Sequence, residues 1–192
     1  MREFVYFSRK AVTTGNFSDL MDAGRMDIVA HIVIHSFFVS HAIRDDVTLH
    51  LFFYGQPDPP KHLELHVSAE ANAISKKDVI GLIKRLLYKY KAGKKTEALP
   101  GCFVEKKGIL QFLKDCEEQE RNLYVLDGKG EDIRTVDIGE NPIFFLGDHD
   151  GFGKDELRRL KKAATSVSLG KKTYFASQTM AVVQYELDRR GV

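Results

Sequence analysis

The sequence predicts an α/β fold in which helices pack on a largely parallel sheet. Two patterns predict it. Short apolar runs of strand character alternate with segments whose apolar residues return at helical period. The last third then repeats one unit three times, an apolar strand followed by a loop that carries a glycine.

Taken in order, residues 2–8 read as the first strand, and a loop through Gly15 and Gly24 leads to a helix at about 27–40. Ile28, Val29, Ile32, Val33 and Phe37 give that helix one apolar stripe. Strands at 47–54 and 63–67 follow, divided by the turn-rich segment 55–60, and read as a hairpin or as neighbours. Ser75 and Asp78 form a capping pair for a helix whose Val79, Ile80, Leu82, Ile83, Leu86 and Leu87 keep the 3.6-residue period. A short strand around Phe103 and Val104 precedes a helix carrying Ile109, Leu110, Leu113 and Cys116. The repeated units are 123–126 before Asp127-Gly128, 143–146 before the loop 147–151, and 165–169 before the loop 170–173. A last helix at about 177–190 stops at Gly191.

A chain of 192 residues holds one substantial core and not two, so one domain over 1–192 is expected. The formal charge is only +2. Any nucleic-acid contact must therefore come from local clusters, such as Lys84, Arg85, Lys89, Lys91, Lys94 and Lys95, or Arg158, Arg159, Lys161 and Lys162. Taken alone, each cluster reads as a solvated helix face. Cys102 and Cys116 match no zinc or redox spacing and read as intracellular thiols. The opening MREFVYFSRK has too short an apolar run for a signal peptide, and no window approaches a membrane span, so a cytoplasmic protein is expected.

The familiar phosphate cradles, GxGxxG after the first strand and GxxxxGK[ST], do not occur, nor do GxSxG and HExxH. In open α/β sheets ligands collect beyond the carboxyl ends of the strands, which makes the three glycine-bearing loops the candidate wall of a pocket. His31 and His35 share a helix face but lack an acidic partner, so no metal site is expected there. His149, between Asp148 and Asp150, reads as a loop-bonding residue before an acid–base group. Gly24-Arg25-Met26-Asp27-Ile28 sets a cation and a carboxylate two residues apart at a helix start, and Arg44-Asp45-Asp46 repeats the pairing at the far end. By spacing alone both read as local ion pairs.

Taken together, GRMDI near residue 25, HAIRDDV near residue 44, LYVLDGKGEDIR, FFLGDHDGF, SLGKKTYFASQ and the closing YELDRR resemble the archaeal tRNA pseudouridine-54 N1-methyltransferase family of the SPOUT superfamily. The resemblance runs in order along essentially the whole chain. It implies a parallel-sheet methyltransferase fold whose C-terminal part, about 120–192, is tied in a deep trefoil knot, and it implies a homodimer. It also implies S-adenosyl-L-methionine as the cofactor. The donor pocket carried over comprises Leu126, Gly147, Ser168, Leu169, Gly170, Lys171, Lys172, Thr173, Tyr174, Phe175 and Thr179. Many members have cysteine where this chain has Thr179, so a catalytic thiol is ruled out here while a hydrogen-bonding pocket residue is kept.

Related ribosomal pseudouridine N1-methyltransferases carry a similar Arg-x-Asp-Ile element, which marks Arg25 and Asp27 as substrate residues. N1 of pseudouridine is an imide-type N–H and a poor nucleophile until an acceptor takes or shares its proton. Asp27 is assigned that part, with Arg25 stabilising charge on the base. Arg44 is expected to bind base or phosphate, and Lys84, Lys89 and their basic neighbours, with Lys171 and Lys172, to contact phosphates. The implied reaction methylates N1 of pseudouridine 54 in the tRNA T-loop and needs no metal. Two alternatives stand beside it: a sister enzyme acting on ribosomal RNA, and a non-catalytic RNA-binding or ribosome-assembly protein with the same fold.

Overall fold

The structure is a computed structural model that describes residues 1–68 and 74–192. Its elements are β1 (Arg2–Ser8), α1 (Met26–Phe37), β2 (Val47–Phe53), β3 (Lys61–His66), a 3-10 turn (Lys76–Asp78), α2 (Val79–Lys89), β4 (Thr96–Leu99) and β5 (Cys102–Glu105). They continue with α3 (Ile109–Glu118), β6 (Leu123–Asp132), β7 (Ile143–Gly147), α4 (Lys154–Ala163), β8 (Thr165–Ser168) and α5 (Ala176–Arg190). The strands form one sheet in the order β4-β5-β3-β2-β1-β7-β6-β8.

The parallel part runs from β2 to β8: β1 lies parallel to β2 and β7, and β6 parallel to β7 and β8. The other edge is antiparallel, β3 against β2 and β5, and β4 against β5. The reason lies in the connections. α1 gives the chain a crossover long enough to return parallel, whereas the segment 54–60 between β2 and β3 permits only a hairpin.

Period-two alternation distributes the core over both faces of the sheet. Along β1, Phe4 and Tyr6 join one apolar cluster with Val29, Ile32 and Val33 of α1, Leu82 and Leu86 of α2, and Met180, Val183 and Leu187 of α5. Val5 and Phe7 join the opposite cluster with Ile109, Phe112 and Leu113 of α3 and Leu160 of α4. Phe4, Phe7, Phe144 and Phe145 are among the fully buried side chains, and removal from water of each such ring contributes about 1.5–3 kcal/mol.

Polar links bind the last helix to this core. Gln184 donates to the Ser36 carbonyl of α1 at 3.1 Å, and the buried Arg2 guanidinium donates to Gln184 Oε1 at 2.9 Å and to Asp188 at 2.7 Å. Near the end of α5, Arg189 and Arg190 hold Glu186 down at about 2 by hydrogen bonds, and Arg190 also donates to the carbonyls of Ile133 and Val136. A carboxylate whose pKa drops on folding stabilises the fold above its unfolded value and loses that contribution as pH falls through the folded one. The urea midpoint of the wild type should therefore fall between pH about 4.5 and about 2, and Glu186→Gln should flatten that part of the profile. Equal slopes for the two proteins would remove this pair from the acid response.

The structure differs from the sequence reading in four places. β6 does not stop at Asp127 but runs to Asp132, with Leu126 and Glu131 both paired to Val167, so that 127–130 bulges out of the sheet. β4 is an additional element, since four strand residues among lysines carry no alternation, and α4, read only as the basic helix face of Arg158 to Lys162, spans Lys154–Ala163 and buries only Leu160 fully. On α3 the inward residue is Phe112, while Leu110 is 39 % exposed. Ser75 caps the 3-10 turn, accepting from the Lys77 N–H at 3.2 Å, and α2 starts after it. Among the described residues, no helix is long and apolar enough to cross a membrane.

Candidate active site

Two concavities open near the carboxyl ends of the parallel strands. Chain order makes the gap between β1 and β7 a switch point: β1 leads through α1 to β2 on one side, whereas β7 leads through α4 to β8 on the other. At such points the diverging loops leave room for a guest. A cleft of about 600 Å³ lies here, lined by Arg9 and Lys10 after β1, Tyr54, Gly55 and Gln56 after β2, His149 after β7, and Met21, Asp22, Gly24 and Arg25.

The start of α1 supplies a charged pair, of which Arg25 lines this cleft. Gly24 and Arg25 both take the left-handed conformation, φ 75° and 66°, and a Cβ on Gly24 would lie 1.8 Å from the Lys10 carbonyl oxygen. Only glycine permits so close a contact. The turn sets the Arg25 side chain against the first turn of α1, where Nε and one terminal nitrogen donate to the two oxygens of Asp27 at 2.9 and 3.0 Å. This fork holds the Asp27 carboxyl below the usual carboxylate range, and Asp27 sits in the first turn while Arg25 takes the N-cap position. Both side chains are about one-third exposed, and Arg25 lines the cleft.

Behind the pair lies a buried polar layer. Burial and the Asp148 carboxylate push the Tyr6 phenol above its ordinary value. Asp148 itself closes the loop after β7, accepting the Asp150 N–H on Oδ1 at 2.8 Å, while its Oδ2 is buried with no hydrogen-bond partner. Lys10 reaches across to Asp150 at 2.7 Å. Arg9, Lys10 and Tyr54 were not singled out from the sequence; the signal was a basic pair directly after a strand, at the sheet edge where ligands collect.

The second concavity is a slot of about 220 Å³ between the ends of β6 and β8 and the start of α5. Its lining brings together Leu126, Leu169, Gly170, Lys171, Lys172, Thr173, Tyr174 and Thr179 from the expected donor pocket, and adds Asp127, Gly128 and Val167. Leu126, Val167 and Leu169 supply apolar walls. Gly128 and Gly170 leave the main chain bare, since a Cβ on either would meet nothing within 4 Å. A flat heterocycle joined to a hydroxylated sugar fits such a mixture of apolar wall, bare peptide and polar rim.

Three residues of the expected pocket do not line the slot. Ser168 is buried beneath it, accepting the Gly170 N–H at 3.1 Å and so fixing where the loop leaves the strand. Phe175 is 77 % exposed. Gly147 closes its own loop: a Cβ there would come within 2.8 Å of Gly151 Cα and 3.2 Å of the Phe152 nitrogen.

Two expected RNA contacts are also otherwise engaged. Arg44 forks onto Asp188 at 2.7 and 2.5 Å, and its N–H bonds to the Phe37 carbonyl at the end of α1, ten residues beyond Asp27 and therefore about 15 Å along the helix. Within one chain it does not join the Arg25–Asp27 pair. Lys84 donates to the Phe17 carbonyl at 2.5 Å and sits over the Phe17 ring, whereas Lys89 and Lys91 are exposed.

Fold and comparisons together define the class, an α/β RNA methyltransferase dependent on S-adenosylmethionine. The crystal structure of Archaeoglobus fulgidus Nep1 bound to S-adenosylhomocysteine shares the fold with a TM-score of 0.66 at 16% identity, over 100% of this chain and 99% of that one. A family model described as "Putative SAM-dependent RNA methyltransferase" matches residues 1–192. The tRNA (pseudouridine(54)-N(1))-methyltransferase of Methanocaldococcus jannaschii is 32% identical over 204 residues, covering 100% of this chain and 98% of that protein. The enzyme of the same name from Methanocella arvoryzae is 37% identical over 198 residues, covering 99% and 100%. The chain belongs to the tRNA (pseudouridine-54-N1)-methyltransferase family.

Proposed function

We propose that this protein transfers a methyl group from S-adenosylmethionine to N1 of pseudouridine 54 in the tRNA T-loop. The observation that carries the reading is a mixed apolar and polar slot between β6, β8 and the start of α5, together with a carboxylate held by Arg25, a residue that lines the cleft after β1 and β2. Full-length relatives that bear this activity in their names support the choice of RNA and base.

When bound, S-adenosylmethionine supplies an activated methyl group on a sulfonium. Leu126, Val167 and Leu169 would hold the adenine, and the Thr179 hydroxyl the polar part beside it. The chain's remaining work is to position the acceptor. Asp27 accepts the N1–H of the base, and because Arg25 keeps it ionised it acts as a fixed hydrogen-bond acceptor that takes the proton as the N–C bond forms. Arg25 stays within reach of charge developing on the base carbonyls. None of these roles calls for a metal ion. The base must leave its stack to enter the cleft, which favours a loop over a duplex.

Lys89 and Lys91 of the exposed basic run, with Lys171 and Lys172 on the slot's lip, would meet phosphates. Replacing Lys89 and Lys91 by alanine should weaken tRNA binding evenly across sequences and reduce the slope of log K against log salt by about 1 for each lysine. A filter-binding salt series checks this; an unchanged slope removes these two lysines from the interface.

The proposal extends to a homodimer in the cytoplasm whose residues 120–192 are knotted. The large exposed rings Tyr174, Phe175 and Tyr185, at and just before α5, support an interface on that helix. The enclosure of β6 between β7 and β8, the strands that follow it, supports the threading. Methyl transfer to synthetic T-loop and ribosomal RNA hairpins, each made with pseudouridine or uridine, tests the function. Label should enter the T-loop hairpin only when pseudouridine is present. Label in the ribosomal hairpin alone would favour the sister enzyme, and no binding of S-adenosylmethionine by calorimetry would favour a non-catalytic RNA-binding protein.

A further inference from the structure

The face of the sheet under α3 carries a polar cluster that the methyl-transfer reading does not use. His50 of β2 and His62 of β3 are 3 % and 1 % exposed, and their rings sit against Phe112. His50 Nδ1 and His62 Nε2 face each other at 3.0 Å. The other nitrogen of each ring meets a carboxylate, His50 Nε2 on Glu3 at 3.1 Å and His62 Nδ1 on Glu105 at 2.9 Å. Arg121 holds Glu3 from behind.

Counting hydrogens exposes a deficit. Three contacts in series need three hydrogens, and two neutral imidazoles bring two. The carboxylates only accept, so both N–H groups go outward to Glu3 and Glu105. That leaves the lone pairs of His50 Nδ1 and His62 Nε2 pointing at one another. Something electropositive belongs there, a proton or a metal ion.

A third donor stands beside the gap. The Glu64 carboxylate, opposite His50 in the β2–β3 register, lies 3.9 Å from His50 Nδ1, and the three ligand atoms all fall within 4.8 Å of one another. Lys95 shares Glu64 at 2.7 Å from the partly exposed side. Two imidazoles, each oriented by a carboxylate on its far nitrogen, and one carboxylate are the donor set that borderline divalent ions take.

We propose that His50, His62 and Glu64 bind a divalent first-row transition-metal ion of the zinc type, with Glu3 and Glu105 orienting the two rings. The site lies in the body of the sheet, away from the cleft and the slot, and its effect would be to cross-link β2 and β3.

The test uses the full-length protein freed of metal with a chelator and titrated with Co²⁺, read by its d–d absorption, and with Zn²⁺, read by the shift in Tm. The expected result is one equivalent bound with an intense tetrahedral cobalt band and a raised Tm. His50→Gln should abolish both, and Glu105→Gln should weaken binding roughly 10–100-fold. Should His50→Gln fail to fold, Glu64→Gln decides, since Glu64 lies at the partly exposed rim and its loss should remove the band while the protein still melts cooperatively. No stoichiometric binding, or binding that survives both the His50→Gln and Glu64→Gln changes, overturns the proposal. A melting point that responds to pH but not to Zn²⁺ assigns the gap to a proton and overturns it as well.

Discussion

Replacing Asp27 by alanine is expected to lower turnover by roughly 10²–10⁴-fold, the range of a lost general base, with the affinity for S-adenosylmethionine essentially unchanged. The separation follows from where the residue sits. Asp27 stands at the start of α1, paired to the cleft-lining Arg25, and is absent from the slot between β6 and β8. Asp27→Asn is the sharper variant, because an amide keeps the shape and part of the contact to Arg25 but cannot take the N1 proton. Single-turnover methyl transfer with calorimetry on the donor checks both variants. Turnover at the wild-type level would remove Asp27 from the chemistry and leave its ion pair with Arg25 as the lock on a left-handed turn.

The second large effect is expected at the other concavity. Thr179 lies in the first turn of α5, half-buried against the slot, and a tryptophan there would place an indole in a space of about 220 Å³. Thr179→Trp should weaken donor binding by roughly 100-fold, about 2.8 kcal/mol, since a filled slot can admit the ligand only by overpacking. The fold should survive, because the new ring has solvent on one side. Calorimetry gives the affinity and a thermal melt controls for folding. Normal binding by a well-folded Thr179→Trp would place the donor elsewhere and sever the link between the two concavities.

How much of this was legible in the sequence depended on whether the deciding interaction was local. β1 and β2 could be bounded closely, because their near-continuous apolar runs express the two-sided burial that defines a central strand. α5 and its stop at Gly191, φ 71°, were equally plain. β4 was invisible for the opposite reason: Thr96 to Leu99 is an edge strand with no buried face to leave a pattern. The extension of β6 was masked by Asp127 and Gly128, which read as a turn; at the foot of the bulge Gly130 lies so close to β8 that a Cβ there would fall 2.4 Å from the Val167 nitrogen, a contact between distant residues that no local rule encodes.

The candidate site divides the same way. Arg25 and Asp27 stood out as a pair two residues apart, and the structure joins them by two hydrogen bonds. Ser168 to Phe175 formed a contiguous stretch, of which the slot uses Leu169 to Tyr174. Arg44 looked equivalent to Arg25 by sequence context, yet its partner is Asp188, 144 residues away. The two histidines of the buried gap are twelve residues apart and became neighbours only through the β2–β3 register, so attention fell instead on His31 and His35.

The bulge at 127–130 divides the slot into unlike halves. Its floor, Leu126 and Val167, is stitched into ladders on β6 and β8, whereas its lip, residues 170–174, is exposed and lies outside any helix or strand. Entry and exit of a guest thus fall to a hinged rim over an immovable seat. Amide hydrogen exchange would register an occupant as slowing along that rim, with the seat already protected before anything arrives.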